Sequence, residues 1–142
     1  MTTDPNLWAK LHGASTHFPV ALALSSVLFD SLAMAISNPE RRMGLRAAGF
    51  YALILGVLGA FPAVISGLVM TRWDSLGSGP LLWHHCFVWP AFGLMVGLAV
   101  WRALARNQAS SRVFAIYLAL MILTAGLVAA AGYWGGELLL NG

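Results

Sequence analysis

The sequence predicts an all-α integral membrane protein, a four-helix bundle forming one domain over residues 1–142 with both termini on the periplasmic side. Three observations carry the prediction. Hydrophobic residues make up 59% of the chain and charged residues 9%, against roughly 25% charged in a soluble domain. The mean hydropathy is +0.77. The basic residues Lys10, Arg41, Arg42, Arg46, Arg72, Arg102, Arg106 and Arg112 fall between apolar runs or beside their ends. A charge left at the bilayer centre costs about 3 kcal/mol, so spans shed charges into their flanks. The basic balance is therefore topological and does not indicate a nucleic-acid partner.

A bilayer core of roughly 30 Å needs about 20 helical residues. Four runs meet that length, expected at 18–37, 44–70, 80–105 and 112–134. The first is opened by Ser15 or Thr16 as a cap and closed by Asn38-Pro39. The second contains Pro62, expected to bend it. The third opens on Pro80, whose missing N–H is unpaired in a first turn anyway, and contains Pro90. The fourth closes at Gly135-Gly136. A closed barrel needs many alternating segments of about ten residues, and the chain lacks them. The start, MTTDPNLWAK, has no basic n-region, so the first span is expected to serve as its own insertion signal.

Basic residues set the orientation. Arg41, Arg42 and Arg46 follow the first span, and Arg102, Arg106 and Arg112 follow the third, whereas the other side has Lys10 and Arg72. The termini and the loop at 73–79 are thus expected outside the cytoplasm, which makes the chain a multi-pass protein of a bacterial inner membrane. Tryptophans 8, 73, 83, 89, 101 and 134 mostly lie near span ends, as interfacial belts do. Gly56 with Gly59, Gly93 with Gly97 and Gly126 with Gly132 are expected to allow close helix packing. The single cysteine, Cys86, has no internal partner. Asp30 stands inside the first span, where it either pairs with a loop arginine or belongs to a proton or quinone site.

All four histidines fall on one side. His12 and His17 stand at the entrance to the first span, His84 and His85 in the second turn of the third. These spans run in the same direction, so the four imidazoles share one membrane surface. Facing helices of a bundle commonly build cofactor sites from such side chains, and histidine is a common axial ligand of haem iron. His17 against His84 or His85 is the expected bis-histidine pair. His84 and His85 point about 100° apart and cannot both aim at one axis. With only Asp4, Asp74 and Glu137 as carboxylates on that side, haem b is favoured over a bare copper or zinc ion held by His12, His17, His84 and His85. One haem near the outer face fits best, and two close together is the other arrangement that four histidines allow.

The segment His12-Gly-Ala-Ser-Thr-His17-Phe18-Pro19, a histidine early in the third span, and the ending Gly132-Tyr-Trp-Gly135-Gly136-Glu137-Leu138 resemble the DUF2231 family of small bacterial membrane proteins. That family typically shows an HP…HFP start, four predicted spans, a histidine in the third and a GG-x-L finish. The resemblance runs through nearly the whole chain. It departs where Gly13 replaces the proline after the first histidine and in a short tail after Leu140. It implies a cytochrome-b-like four-helix protein whose matching residues are His12, His17 and one of His84 or His85.

The expected function is a b-type haem-binding subunit. It would carry electrons between a periplasmic cytochrome c or dehydrogenase and quinone, or the other subunits of a respiratory or photosynthetic membrane complex. There is no nucleophile–base pair, phosphate loop or HExxH motif, so the chain is at most an electron-transfer subunit of an oxidoreductase. A cofactor-free accessory subunit and a histidine-based metal protein are the alternatives. Four spans without an inverted repeat argue against a transporter.

Overall fold

The computed structural model describes residues 5–105 and 110–141. Asp4 and Arg106, used above in weighing charge, lie outside the described residues. Among those described there are four helices and no strands: α1 (Pro5–Ala35), α2 (Pro39–Met70), α3 (Pro80–Ala105) and α4 (Ser111–Asn141). All four are long and apolar enough to cross a membrane.

The third helix has its expected bounds, and the second ends at Met70 as expected but begins at Pro39, five residues earlier. Asn38 caps α2, its side-chain oxygen accepting from the Arg41 N–H at 3.0 Å, and Pro39 follows in the first turn. The outer helices are longer than expected. Helix α1 begins at Pro5, and Ser15 and Thr16 are interior residues whose hydroxyls donate to the carbonyls of His12 and Gly13. Both histidines of α1 therefore sit within the helix and not at its entrance. Helix α4 runs through Gly135-Gly136 to Asn141. Glycine costs a helix about 1 kcal/mol relative to alanine, which does not stop one supported by tertiary contacts. Pro19, Pro62 and Pro90 all lie inside helices, as bundled membrane helices tolerate.

The helices pack as two antiparallel hairpins, α1 with α2 and α3 with α4. Looser seams join α1 to α4 and α2 to α3, which leaves α1 and α3 on a diagonal. Small residues draw the first hairpin together. A Cβ on Gly56 would stand 3.3 Å from Leu22 Cβ, and one on Gly59 would stand 2.5 Å from the Phe18 ring. The packing expectation fails within the chain for Gly93, Gly97, Gly126 and Gly132, which have nothing within 4 Å of such an atom. Mid-bundle, Leu53, Leu98, Phe114, Tyr117 and Met121 form the buried core.

Candidate functional site

Each hairpin fixes one histidine against a backbone carbonyl of its own second helix. On α1, His12 Nδ1 lies 2.8 Å from the Ala63 carbonyl of α2. On α3, His84 Nδ1 lies 2.8 Å from the Ala131 carbonyl of α4. A carbonyl only accepts, so each Nδ1 carries the proton, and the neutral ring keeps its lone pair on Nε2. Metal-ligating histidines are commonly oriented by such an N–H donated to a carbonyl. Glycine gives both rings their space. A Cβ on Gly67 would stand 2.9 Å from His12 Cε1, and one on Gly135 would stand 3.2 Å from His84 Nδ1.

The two hairpins bring these imidazoles together across the diagonal of the bundle. Their centroids are 6.4 Å apart and their planes nearly perpendicular, at 77°. Two metal–nitrogen bonds of about 2.0 Å, with about 1.1 Å from each nitrogen to its ring centroid, would put two imidazoles that share a metal at most roughly 6.2 Å apart. At the observed spacing the two rings would be close enough to share one metal. Among the described residues no three His, Cys, Asp or Glu side chains are grouped to hold an ion. A bare structural zinc wants four protein ligands, whereas a porphyrin brings four of its own donors and asks the chain for two. His12 and His84 would be the two protein ligands such a group requires.

His85 is buried beside the pair, its ring 5.7 Å from that of His84. Its Nδ1 donates to the Leu76 carbonyl at 3.2 Å. Trp89 Nε1 donates to the Ser75 carbonyl at 2.9 Å. These two bonds tie the α2–α3 loop over the histidine end. The loop is shaped by Arg72 and Trp73 in the left-handed region, at φ 55° and 66°. In it, Asp74 Oδ1 accepts from the N–H groups of Gly77 at 2.7 Å and Leu76 at 3.1 Å. Those donors hold the exposed Asp74 carboxyl below its ordinary range. His17, ranked first from the sequence, is exposed and makes no contact with the other histidines. The sequence-predicted residues brought together are His12, His84 and His85.

Four positions of this arrangement have no motif of their own: Ala63, Gly67, Ala131 and Gly135. The signal that could have found them is their recurrence, an Ala-x-x-x-Gly spacing on the second helix of each hairpin. The first residue supplies a carbonyl and the second leaves room for a ring.

The opposite end of the bundle holds a buried ion pair. Asp30 of α1 and Arg102 of α3 are 0% and 3% exposed. Arg102 donates from both terminal nitrogens to the Asp30 carboxylate, to Tyr117 Oη at 2.7 Å and to the Arg46 carbonyl. Tyr117 in turn donates to Asp30 at 3.2 Å. The Asp30–Arg102 pair therefore links all four helices, Arg102 making the bond to α2. Gly49 makes way for it, since a Cβ there would stand 2.5 Å from Asp30 Oδ1. Of the two sequence readings of Asp30, arginine pairing is the one observed, and the partner sits inside α3 and not in a loop.

A four-helix membrane bundle with two carbonyl-anchored imidazoles at one end and a buried ion pair at the other is the class that fold and site define. A family model described as a predicted membrane protein, DUF2231, matches residues 9–141, and the chain belongs to that family. No curated protein and no solved structure matches it.

Proposed function

We propose that this multi-pass membrane protein is a b-type haem-binding subunit, carrying electrons between a periplasmic redox partner and quinone or a larger respiratory or photosynthetic complex. The observation that supports it is the His12–His84 pair, 6.4 Å apart on diagonal helices with each Nδ1 occupied by a carbonyl. His12 and His84 would hold the iron through Nε2, and the group supplies one-electron redox chemistry when bound. The chain's own work is to orient. The Ala63 and Ala131 carbonyls fix both tautomers, Gly67 and Gly135 set the ring positions, and the loop tied to His85 and Trp89 keeps bulk water from that end. Arg41, Arg42, Arg46, Arg102 and Arg112 lie in helix segments at the other end, and the positive-inside rule supports a periplasmic position for the imidazoles in a bacterial inner membrane. Exposed His17 is left at that surface for a partner.

The test is a reduced-minus-oxidised spectrum of protein in mild detergent, with a haemochrome assay for stoichiometry. The wild type should show a b-type α-band at one haem per chain. His12→Ala and His84→Ala should each remove it, while His17→Ala should retain it. A folded wild-type protein without haem would overturn the reading. Loss of haem in His17→Ala with retention in His12→Ala would overturn the ligand assignment.

A further inference from the structure

The two hairpins follow one plan, and they meet through their own counterparts. On the first helix of each hairpin, 72 residues separate His12 from His84 and Asp30 from Arg102. On the second, 68 residues separate Arg46 from Phe114, Gly49 from Tyr117, Ala63 from Ala131 and Gly67 from Gly135. The same offsets align buried positions: Ala23 with Met95, Ser26 with Leu98 and Leu53 with Met121. Roles align as well. Ala63 and Ala131 each offer a carbonyl to the histidine of their own hairpin. Gly49 lies against Asp30, and its counterpart Tyr117 is bonded to Arg102. His12 meets His84 at one end and Asp30 meets Arg102 at the other, so α1 and α3 run in the same direction. The halves are therefore related by a rotation about an axis along the bundle, as parallel membrane repeats are.

Three of these pairs touch. His12 faces His84, Asp30 is paired with Arg102, and the Arg46 guanidinium stands 3.9 Å from the Phe114 ring centroid. Residues meet their own equivalents where a two-fold axis passes, as between two identical subunits. The histidine pair suits such an axis unaided, because both members are the same, and an apolar core serves any pairing. Asp30 and Arg102 do not. A hairpin set against its own twin would oppose Asp30 to a second aspartate, or Arg102 to a second arginine, at positions 0% and 3% exposed. A buried charge without its opposite is costly, and such repulsion excludes one partner in favour of another. Arg46 acts in the same sense, since twin pairing would bring it to a second arginine, while Phe114 is neutral to either. Residues 71–79 alone join the hairpins, between Met70 and Pro80. A stretch of that length reaches about 30 Å when extended, enough for a hairpin to pair outside its own chain.

We propose that the chain is an internal dimer of hairpins that recognise one another through Asp30 and Arg102, and that either hairpin accepts from a second copy a hairpin of opposite charge at this position. Haem has no part in this recognition. Full chains carrying two different affinity tags test it, with native mass spectrometry in mild detergent as the readout. Asp30→Arg alone places two arginines at the axis, and Arg102→Asp alone places two aspartates there. Each variant should lose the folded species that wild type forms. Expressed together, the two should be recovered as a dimer of one copy of each, since every N-terminal hairpin then finds a C-terminal hairpin of opposite charge. Asp30→Arg with Arg102→Asp in one chain restores the pair in reverse and should return the wild-type species. Folding of either single variant at wild-type yield would overturn the proposal, as would failure of the two to associate when co-expressed. Failure of the reversed pair to fold would overturn it too, because counterparts on a two-fold axis must be interchangeable. Equal mixing of tags between co-expressed wild-type chains would mean association that owes nothing to the charge pair, and would equally overturn it.

Discussion

Neutralising Asp30 should unlatch the bundle by an amount that the structure allows to be worked out. Asp30→Asn removes the counter-charge of Arg102, which is 3% exposed and accepts no substitute from solvent. Breaking a buried pair by removing one partner costs about 3–5 kcal/mol. Three bonds to the carboxylate are weakened, two from Arg102 and one from Tyr117. Two effects pull the figure toward the low end. Arg102 keeps its bonds to Tyr117 Oη and the Arg46 carbonyl, and it lies within one turn of the end of α3, where a long side chain can reach toward the interface. We expect about 3 kcal/mol, more than a hundredfold in the unfolding equilibrium. Arg102→Met should cost less, about 2 kcal/mol, because the abandoned Asp30 can take up a proton. The double variant should be no less stable than Asp30→Asn alone, which makes the coupling energy at least about 2 kcal/mol. Reversible unfolding in mixed micelles, followed by tryptophan fluorescence, measures all three variants. Single effects that add to within about 0.5 kcal/mol would refute the latch.

Two further outcomes follow from the histidine end. Gly67→Ala places a Cβ 2.9 Å from His12 Cε1, so haem stoichiometry should fall although alanine is the better helix former; Gly93→Ala, with open space around it, should leave stoichiometry unchanged, and equal behaviour of the two in the haemochrome assay would contradict the ring placement. The Asp74 turn should persist to acid pH. Its carboxyl is held below the ordinary 3.8 by the Gly77 and Leu76 N–H groups, so its contribution is fully present above that value and is lost as pH falls through the lower, folded value. The amide proton shifts of Leu76 and Gly77 should titrate below 3.8, and a midpoint at or above 3.8 would count against the turn.

Much of the fold is legible because membrane spans follow from composition. Span ends are less so. Ser15 and Thr16 look like caps, but their hydroxyls are equally at home donating to a carbonyl one turn back inside a helix. Gly135-Gly136 looks like a stop, and α4 passes through it because Gly135 makes room for a ring on α3. Which side holds the histidines is readable from spacing alone. Which of them face inward is not, since His12 and His17 differ only by an azimuth that depends on where α1 packs against α2. Arg102 illustrates a different limit. A lone arginine near a span end is normally topological, and only its diagonal relation to Asp30 makes it a core residue.

The anchoring of each imidazole within its own hairpin bears on the haem-binding role proposed above. Both rings are held by a carbonyl and a glycine before any ligand arrives, so their rotational freedom is lost during folding and not on ligation. First-sphere groups fixed in this way have little room to rearrange when a metal between them gains or loses an electron. Under the proposed haem reading, a site assembled from two rigid halves would suit passing electrons rather than binding a substrate that must come and go.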